Sequence, residues 1–231
     1  MPHGRIYRTF TYREAVLRIC CGQFDVTAAE IVRQRHLLED YLRRHPEFQR
    51  SLVPIEPHAD APEIARHMAW AAGPVGVGPM AAVAGAMAQW AARAALAGGA
   101  EEAIVDNGGD IYLKAVEPVI VSLGTGTSAL ANRLAFRVEP DETPLAICSS
   151  SGKMGHSMSL GQCDLATVVA KDAALADAAA TQAANLVRTP DDVDAALERI
   201  AAIEGIAGVL IVKDDRIGLA GRLPRLVKTP G

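Results

Sequence analysis

The sequence predicts an α+β protein with largely antiparallel sheets flanked by helices. Short apolar runs follow one another in blocks, at 103–106, 111–116, 119–123, 133–138 and 145–148. Turn-forming residues, rather than helices, join most of them. Helical patterns fall between the blocks, and the βαβ alternation with G-x-G-x-x-G that marks a parallel dinucleotide fold is absent. With 231 residues, half of them apolar, the chain can build a sizeable core without staples. It reads as one domain or two interlocked halves, about 1–100 and 101–221, with a tail at 222–231.

A net charge of −4 argues against a nucleic-acid surface, which is normally basic. Cys20, Cys21, Cys148 and Cys163 show no C-x-x-C spacing and read as reduced thiols. Residues 1–18 carry charges throughout, unlike a signal peptide. The most apolar stretch, 76–99, contains Gln89, Trp90 and Arg93 and reads as a buried helix rather than a membrane span. The expectation is a cytoplasmic protein with no nucleic-acid or membrane partner. No pattern in the chain sets an oligomeric state.

Taken in order, 6–10 and 15–20 read as a hairpin turning at Thr11-Tyr12-Arg13. Thr27 and Glu30 have capping-box spacing for a helix through His45, with Ile31, Leu38 and Leu42 on one face. Pro54, Pro57 and Pro62 make an irregular connection, and Asp60 caps a short helix over 62–71. The Gly/Pro-dense stretch 73–79, with Gly76 and Gly78, enters a helix over 80–96. A glycine-rich turn at a helix N-terminus offers N–H groups to an anion, and it serves equally as a tight packing turn. Gly98-Gly99 ends that helix. Asn107-Gly108 favours positive φ between two strands, a hairpin that needs no ligand to explain it. Further on, Asp191 caps a helix over 193–203, strands at 209–213 and 216–219 turn at Asp214-Asp215, and the tail reads as partly disordered.

The stretch 147–185 concentrates the chemistry. It holds a small-residue turn, Ser149-Ser150-Ser151-Gly152, then His156 between flexible positions. A β-branched run at 166–170 follows, then an alanine-rich helix carrying Asp177 and Thr181. A carboxylate and a hydroxyl four residues apart share a helix face, and two hard oxygens suit Mg²⁺. Each piece also has a structural reading. Thr181 can bond the Asp177 carbonyl, His156 can be a loop histidine, and the serines a plain turn.

In this order, Ser150-Ser151-Gly152, His156, Val168-Val169-Ala170 and Ala176-Asp177-Ala178-Ala179-Ala180-Thr181 resemble the C-terminal signature of the ApbE-like flavin transferases. Upstream, Asp106-Asn107-Gly108-Gly109-Asp110-Ile111 resembles that family's N-x-G-G-[DN]-I turn. The resemblance covers about 75–185. It implies an ApbE-like fold and a small-molecule partner, a flavin (FAD or FMN) or another nucleotide, with Mg²⁺ at the diphosphate. It assigns Asp177 and Thr181 to the metal, Gly78 to a completing backbone carbonyl, and His156 to the reacting phosphate. Gly76, Asp106, Asn107, Gly108, Gly109, Asp110, Ser150, Ser151 and Gly152 are then candidates to line the ligand.

Three departures from the family pattern bear on activity. Where the family usually has A-K-G-x-x-x-D, this chain has Pro79 for the lysine and Ala84 for the aspartate. The Asp-Pro that follows the family's histidine is absent, and the N-terminal half is short. The chain is similar to a short soluble branch that the family context links to sulfur and homocysteine assimilation. Binding without transfer is the leading expectation, the alternatives being an Mg²⁺-dependent transfer of FMN from FAD to a protein Thr or Ser, or a structural or oligomerising role. Cys148 and Cys163 bracket the signature, either for thiol chemistry or as buried core residues.

Overall fold

Two antiparallel sheets carry the fold of the computed structural model, which describes residues 4–123, 133–152 and 161–229. The large sheet has eight strands, β1 (Arg8–Tyr12), β2 (Ala15–Cys21), β3 (Ala103–Asn107), β4 (Asp110–Lys114), β7 (Leu145–Ser150), β8 (Leu165–Ala170), β9 (Ile206–Lys213) and β10 (Arg216–Gly221), in that order. Between β4 and β7 the chain leaves to form β5 (Val119–Ser122) and β6 (Leu134–Val138), and β6 pairs with both β5 and β11 (Arg225–Lys228) in a small sheet. The helices are α1 (Phe24–Arg44), α2 (Pro46–Arg50), α3 (Glu63–Val75), α4 (Val83–Ala97), α5 (Ala173–Leu186) and α6 (Val193–Ala201). The class is α+β, as the blocks of strands predict.

The central strands of the large sheet are buried on both faces, and their period of two sorts residues by size. Ala146, Cys148, Ala166, Val168 and Ala170 face the helical layer. Leu145, Ile147, Leu165 and Val169 face the small sheet with Phe136 and Val138. Small residues on the helical side let α5 lie close to the sheet, and α5 is itself mostly alanine. At its crossing with α4 a Cβ on Gly85 would stand 2.1 Å from the Ala173 carbonyl oxygen. Glycine is the only side chain that fits there.

Several elements differ from the sequence expectations. The first hairpin turns at Arg13-Glu14, with Tyr12 paired to Ala15 and Arg13 at φ 52°. Thr27 forms no capping box: its hydroxyl donates to the Gln23 carbonyl, and Glu30 is taken by Arg33 and Gln34. Helix α1 begins earlier, at Phe24, whose ring packs edge-on to Phe10 beneath the Arg8 guanidinium. Helix α3 starts after Pro62 with no side-chain cap, so Asp60 does not cap it. The expected helix over 80–96 breaks into a 3₁₀ turn, Pro79–Ala82, and α4. Asp192 rather than Asp191 caps the next turn, accepting the Arg188 and Thr189 amides. The tail is ordered at Arg225–Lys228, where it adds an edge strand beside β6.

Among the described residues no single helix is long and apolar enough to cross a membrane. The most apolar pair, α3 with 79–97, bends by 104° and lies largely within the core.

Candidate functional site

A broad cleft of about 2190 Å³ runs past the glycine turns at 76–78 and 107–109, the end of β7 and α5, and extends along α1, β2 and β5. Gly76, Gly78, Asp106, Asn107, Gly108, Gly109, Asp110, Ser150, Ser151, Asp177 and Thr181 all line it. The two motif blocks, far apart in sequence, thus border the same cleft. His156 lies outside the described residues. Gly152 packs elsewhere: its N–H donates to the Cys163 carbonyl at 2.8 Å, and a Cβ would stand 2.3 Å from the Gly161 carbonyl oxygen. Its glycine is required by backbone contact.

Backbone geometry accounts for the other glycines before any ligand does. Gly76 takes φ 84° and ends α3, its N–H bonding the Ala72 and Gly73 carbonyls. A Cβ on Gly78 would overlap the Ser51 carbonyl oxygen at 1.8 Å, and the Gly78 carbonyl accepts the Ala81 N–H. Gly108 and Gly109 take φ 71° and 107° in the β3–β4 turn, with the Asp106 carboxylate accepting the Gly109 N–H at 2.9 Å.

At the floor of the cleft stand two carboxylates, Asp110 and Asp177, each under a tenth exposed. Asp177 accepts the Gly85 N–H at 2.9 Å and is also bonded by the Ala84 amide. It therefore caps the first turn of α4 from another helix, 92 residues away in sequence. The N-terminal amides that the glycine-rich turn was expected to offer an anion are occupied by a carboxylate of the protein itself. Burial pushes the Asp177 carboxyl up, against the pull of those amides.

Asp110 opens β4 opposite Cys148 on β7. Burial, and then the Asp177 charge, push its carboxyl well above the usual range, while the Cys148 thiol and the Ser149 amide oppose this weakly. Its Oδ1 is buried and, among the described residues, has no hydrogen-bond partner. An unsatisfied carboxylate oxygen facing a second buried carboxylate is costly as it stands. Burial also raises the Asp106 carboxyl, which shares its register position with Ile111 on the other face of the sheet from Asp110.

On α5, Asp177, Thr181 and Asn185 line the cleft at successive i+4 steps while the alanines between them are buried. This polar stripe was readable in the sequence only as far as Asp177 and Thr181. Gly85 and the Ala84 amide were missed. A glycine inside a helical run of small residues was the only signal they gave. Cys148 and Cys163 are fully buried and donate to the Ala173 and Val212 carbonyls, each at 3.5 Å. Burial pushes the Cys148 thiol well up, so it is no thiolate nucleophile near neutral pH, and the core reading of both cysteines holds.

The family model described as AbpE bacteria matches residues 18–216. The chain belongs to that family. Among curated relatives, the UPF0280 protein of Archaeoglobus fulgidus is 41% identical over 226 residues, covering 94% of this chain and 92% of that one. The UPF0280 protein of Methanocella arvoryzae is 38% identical over 95% of this chain and 90% of its own. Solved folds that share this architecture include the flavin transferase ApbE of Vibrio cholerae, with a TM-score of 0.58 at 13% identity over 94% of this chain and 96% of that one. The apo flavinyl transferase ApbE of Pseudomonas stutzeri gives 0.59 at 12% identity, covering 94% of each chain. At these identities the family and the solved structures share a fold with this chain.

Proposed function

We propose that the cleft binds a flavin nucleotide, FAD or FMN, with a divalent cation joining its phosphates to the acidic floor. The observation that supports this reading is Asp110 Oδ1, a buried carboxylate oxygen with no partner among the described residues, close to the buried carboxylate of Asp177. Asp110, Asp177 and Thr181 supply hard oxygen donors in the combination that suits Mg²⁺ rather than a soft metal. When bound there, the ion would screen phosphate charge and offset the repulsion between the two carboxylates.

The chain's own residues define the rest. The Ala84 and Gly85 amides hold the Asp177 carboxylate at the wall of the cleft. The Gly108-Gly109 turn exposes backbone without side chains, which allows close approach by a ligand. At the entrance to the 3₁₀ turn Pro79 is buried and brings neither a cation nor a backbone N–H. Loss of one preorganised charge costs about 10²–10³ in rate where catalysis rests on positioning and electrostatics. The reading is therefore a binder that leaves the nucleotide intact.

The test incubates purified protein with FAD, Mg²⁺ and a Thr-containing peptide and follows the products by mass spectrometry. Intact FAD, unmodified peptide and a ligand-dependent rise in melting temperature are expected. A peptide that gains the FMN mass with AMP released, and no longer does so in His156→Ala, would replace the binder with a transferase.

A further inference from the structure

A second group of metal donors lies away from this cleft floor, where α1 ends. His45 closes α1 and precedes Pro46, which bars its backbone from the helical region and fixes it at φ −130°, ψ 69°. Its ring lies 4.7 Å from Tyr41. Glu47 lies in the first turn of α2. His58, in the proline-rich connection, is anchored by its N–H, which donates to the Tyr41 hydroxyl at 3.0 Å. The two imidazoles stack with centroids 4.0 Å apart, so holding one ion between them requires one ring to turn about its side-chain torsions. One donor atom from each of His45, Glu47 and His58 then falls within 4.8 Å of the others.

We propose that His45, Glu47 and His58 form a binding site for a divalent cation of the zinc class. Two imidazole nitrogens and one carboxylate oxygen suit zinc and its transition-metal neighbours far better than Mg²⁺ or Ca²⁺. Glu47 Oε1 stands 3.6 Å from His45 Nδ1 and 2.9 Å from His58 Nε2, close to the spacing of ligands around one tetrahedral ion. The far side of His45 adds an independent feature. Its Nε2 lies 3.0 and 3.2 Å from the two oxygens of Asp60, and Arg44 pairs with that carboxylate. A carboxylate behind a ligating histidine fixes the tautomer that turns the other nitrogen toward the metal. The C-terminal end of α1, a 21-residue helix, also favours positive charge at this place.

In the metal-free chain a hydrogen bond joins His58 Nε2 to Glu47 Oε1. The ion would take the place of the proton in that hydrogen bond, the neutral imidazole carrying its proton on Nδ1 instead. The site fastens the connection after α2 to the end of α1. Ser51, whose carbonyl presses on Gly78, follows directly after α2, so the bound ion would stiffen one wall of the cleft.

The experiment is a Zn²⁺ titration of the full-length, metal-stripped chain against a chromogenic chelator, with far-ultraviolet circular dichroism of every variant. The expected result is one zinc per chain and a melting temperature raised by Zn²⁺. His58→Ala, at a side chain about half exposed, should keep the fold and lose this binding. Asp60→Asn should weaken it by about 10- to 100-fold. Asp177→Asn should leave it unchanged. Wild-type zinc affinity in His58→Ala, or no stoichiometric binding by the wild type, would overturn the proposal.

Discussion

At the scale of single residues, Asp110 holds the tension in the cleft. Its carboxyl is raised by burial and by Asp177, so in the folded chain it keeps a proton to higher pH than in the unfolded one. A group raised in this way contributes stability that is complete below the unfolded value, near pH 4, and is lost as pH rises through the folded value. The ligand-free protein should therefore lose stability from mildly acidic toward alkaline pH, and Mg²⁺ should restore it. Asp110→Asn removes one of the two charges. It should stabilise the ligand-free protein at neutral pH by about 1 kcal/mol, flatten that decline and abolish the Mg²⁺ effect. Thermal melts across pH, with and without Mg²⁺, read all three. A variant less stable than the wild type at neutral pH would show that Asp110 is a satisfied structural residue.

At the scale of elements, the crossing of α4 and α5 decides where Asp177 points. Gly85→Ala would drive a methyl into the Ala173 carbonyl, separate the helices and pull the Gly85 amide from Asp177. A cost of about 1–3 kcal/mol in chemical denaturation is expected, with a loss of Mg²⁺ response out of proportion to it. Helix α5 is held at its start by Asp172, which caps Leu175 at 3.0 Å and accepts His67 and Gln89, each at 2.8 Å. Burial opposes ionisation of Asp172, yet the His67 hydrogen bond and charge, with Gln89 and the Leu175 amide, hold its carboxyl at about 2. A lowered carboxyl contributes stability present above its unfolded value and lost as pH falls through the folded one. Acid melts should show an Asp172-dependent loss between about pH 4 and pH 2, absent in Asp172→Asn.

The helices and strands were legible where one local pattern was enough. The runs at 103–106, 145–148 and 166–170 are strands, and Gly98-Gly99 does end α4. Boundaries set by contact were not legible. Phe24 starts α1 because of Phe10 and Arg8, and Asp177 caps a helix 92 residues upstream. Neither leaves a local mark. Of the candidate site, Asp106 to Asp110, Ser150, Ser151, Asp177 and Thr181 border one cleft, whereas Gly152 packs against backbone and His156 lies outside the described residues. The orphaned oxygen of Asp110 depends on burial by α5 and β7, which no spacing displays.

At the scale of the whole molecule, division of the strands between two sheets was hidden from the sequence, since β5 and β6 read like any other run. The small sheet covers the outer face of the large one with Val119, Val121, Phe136 and Val138, and β11 completes it from the far end of the chain. Ending the chain at Gly221 would expose the β6 edge and remove Leu223 from that core. A loss of more than about 1 kcal/mol should follow in denaturant unfolding, with the cleft's ligand response kept. The claim that joins these scales is that the fold brings Asp110 and Asp177 together to hold a cation for a flavin nucleotide. Calorimetric titration of FAD into the wild type and Asp177→Asn, each with and without Mg²⁺, tests it most directly. The account predicts that Mg²⁺ tightens FAD binding by about tenfold or more in the wild type, through one added metal–phosphate bridge, and not at all in the variant. Equal Mg²⁺ dependence in the two proteins, or none in the wild type, would contradict it.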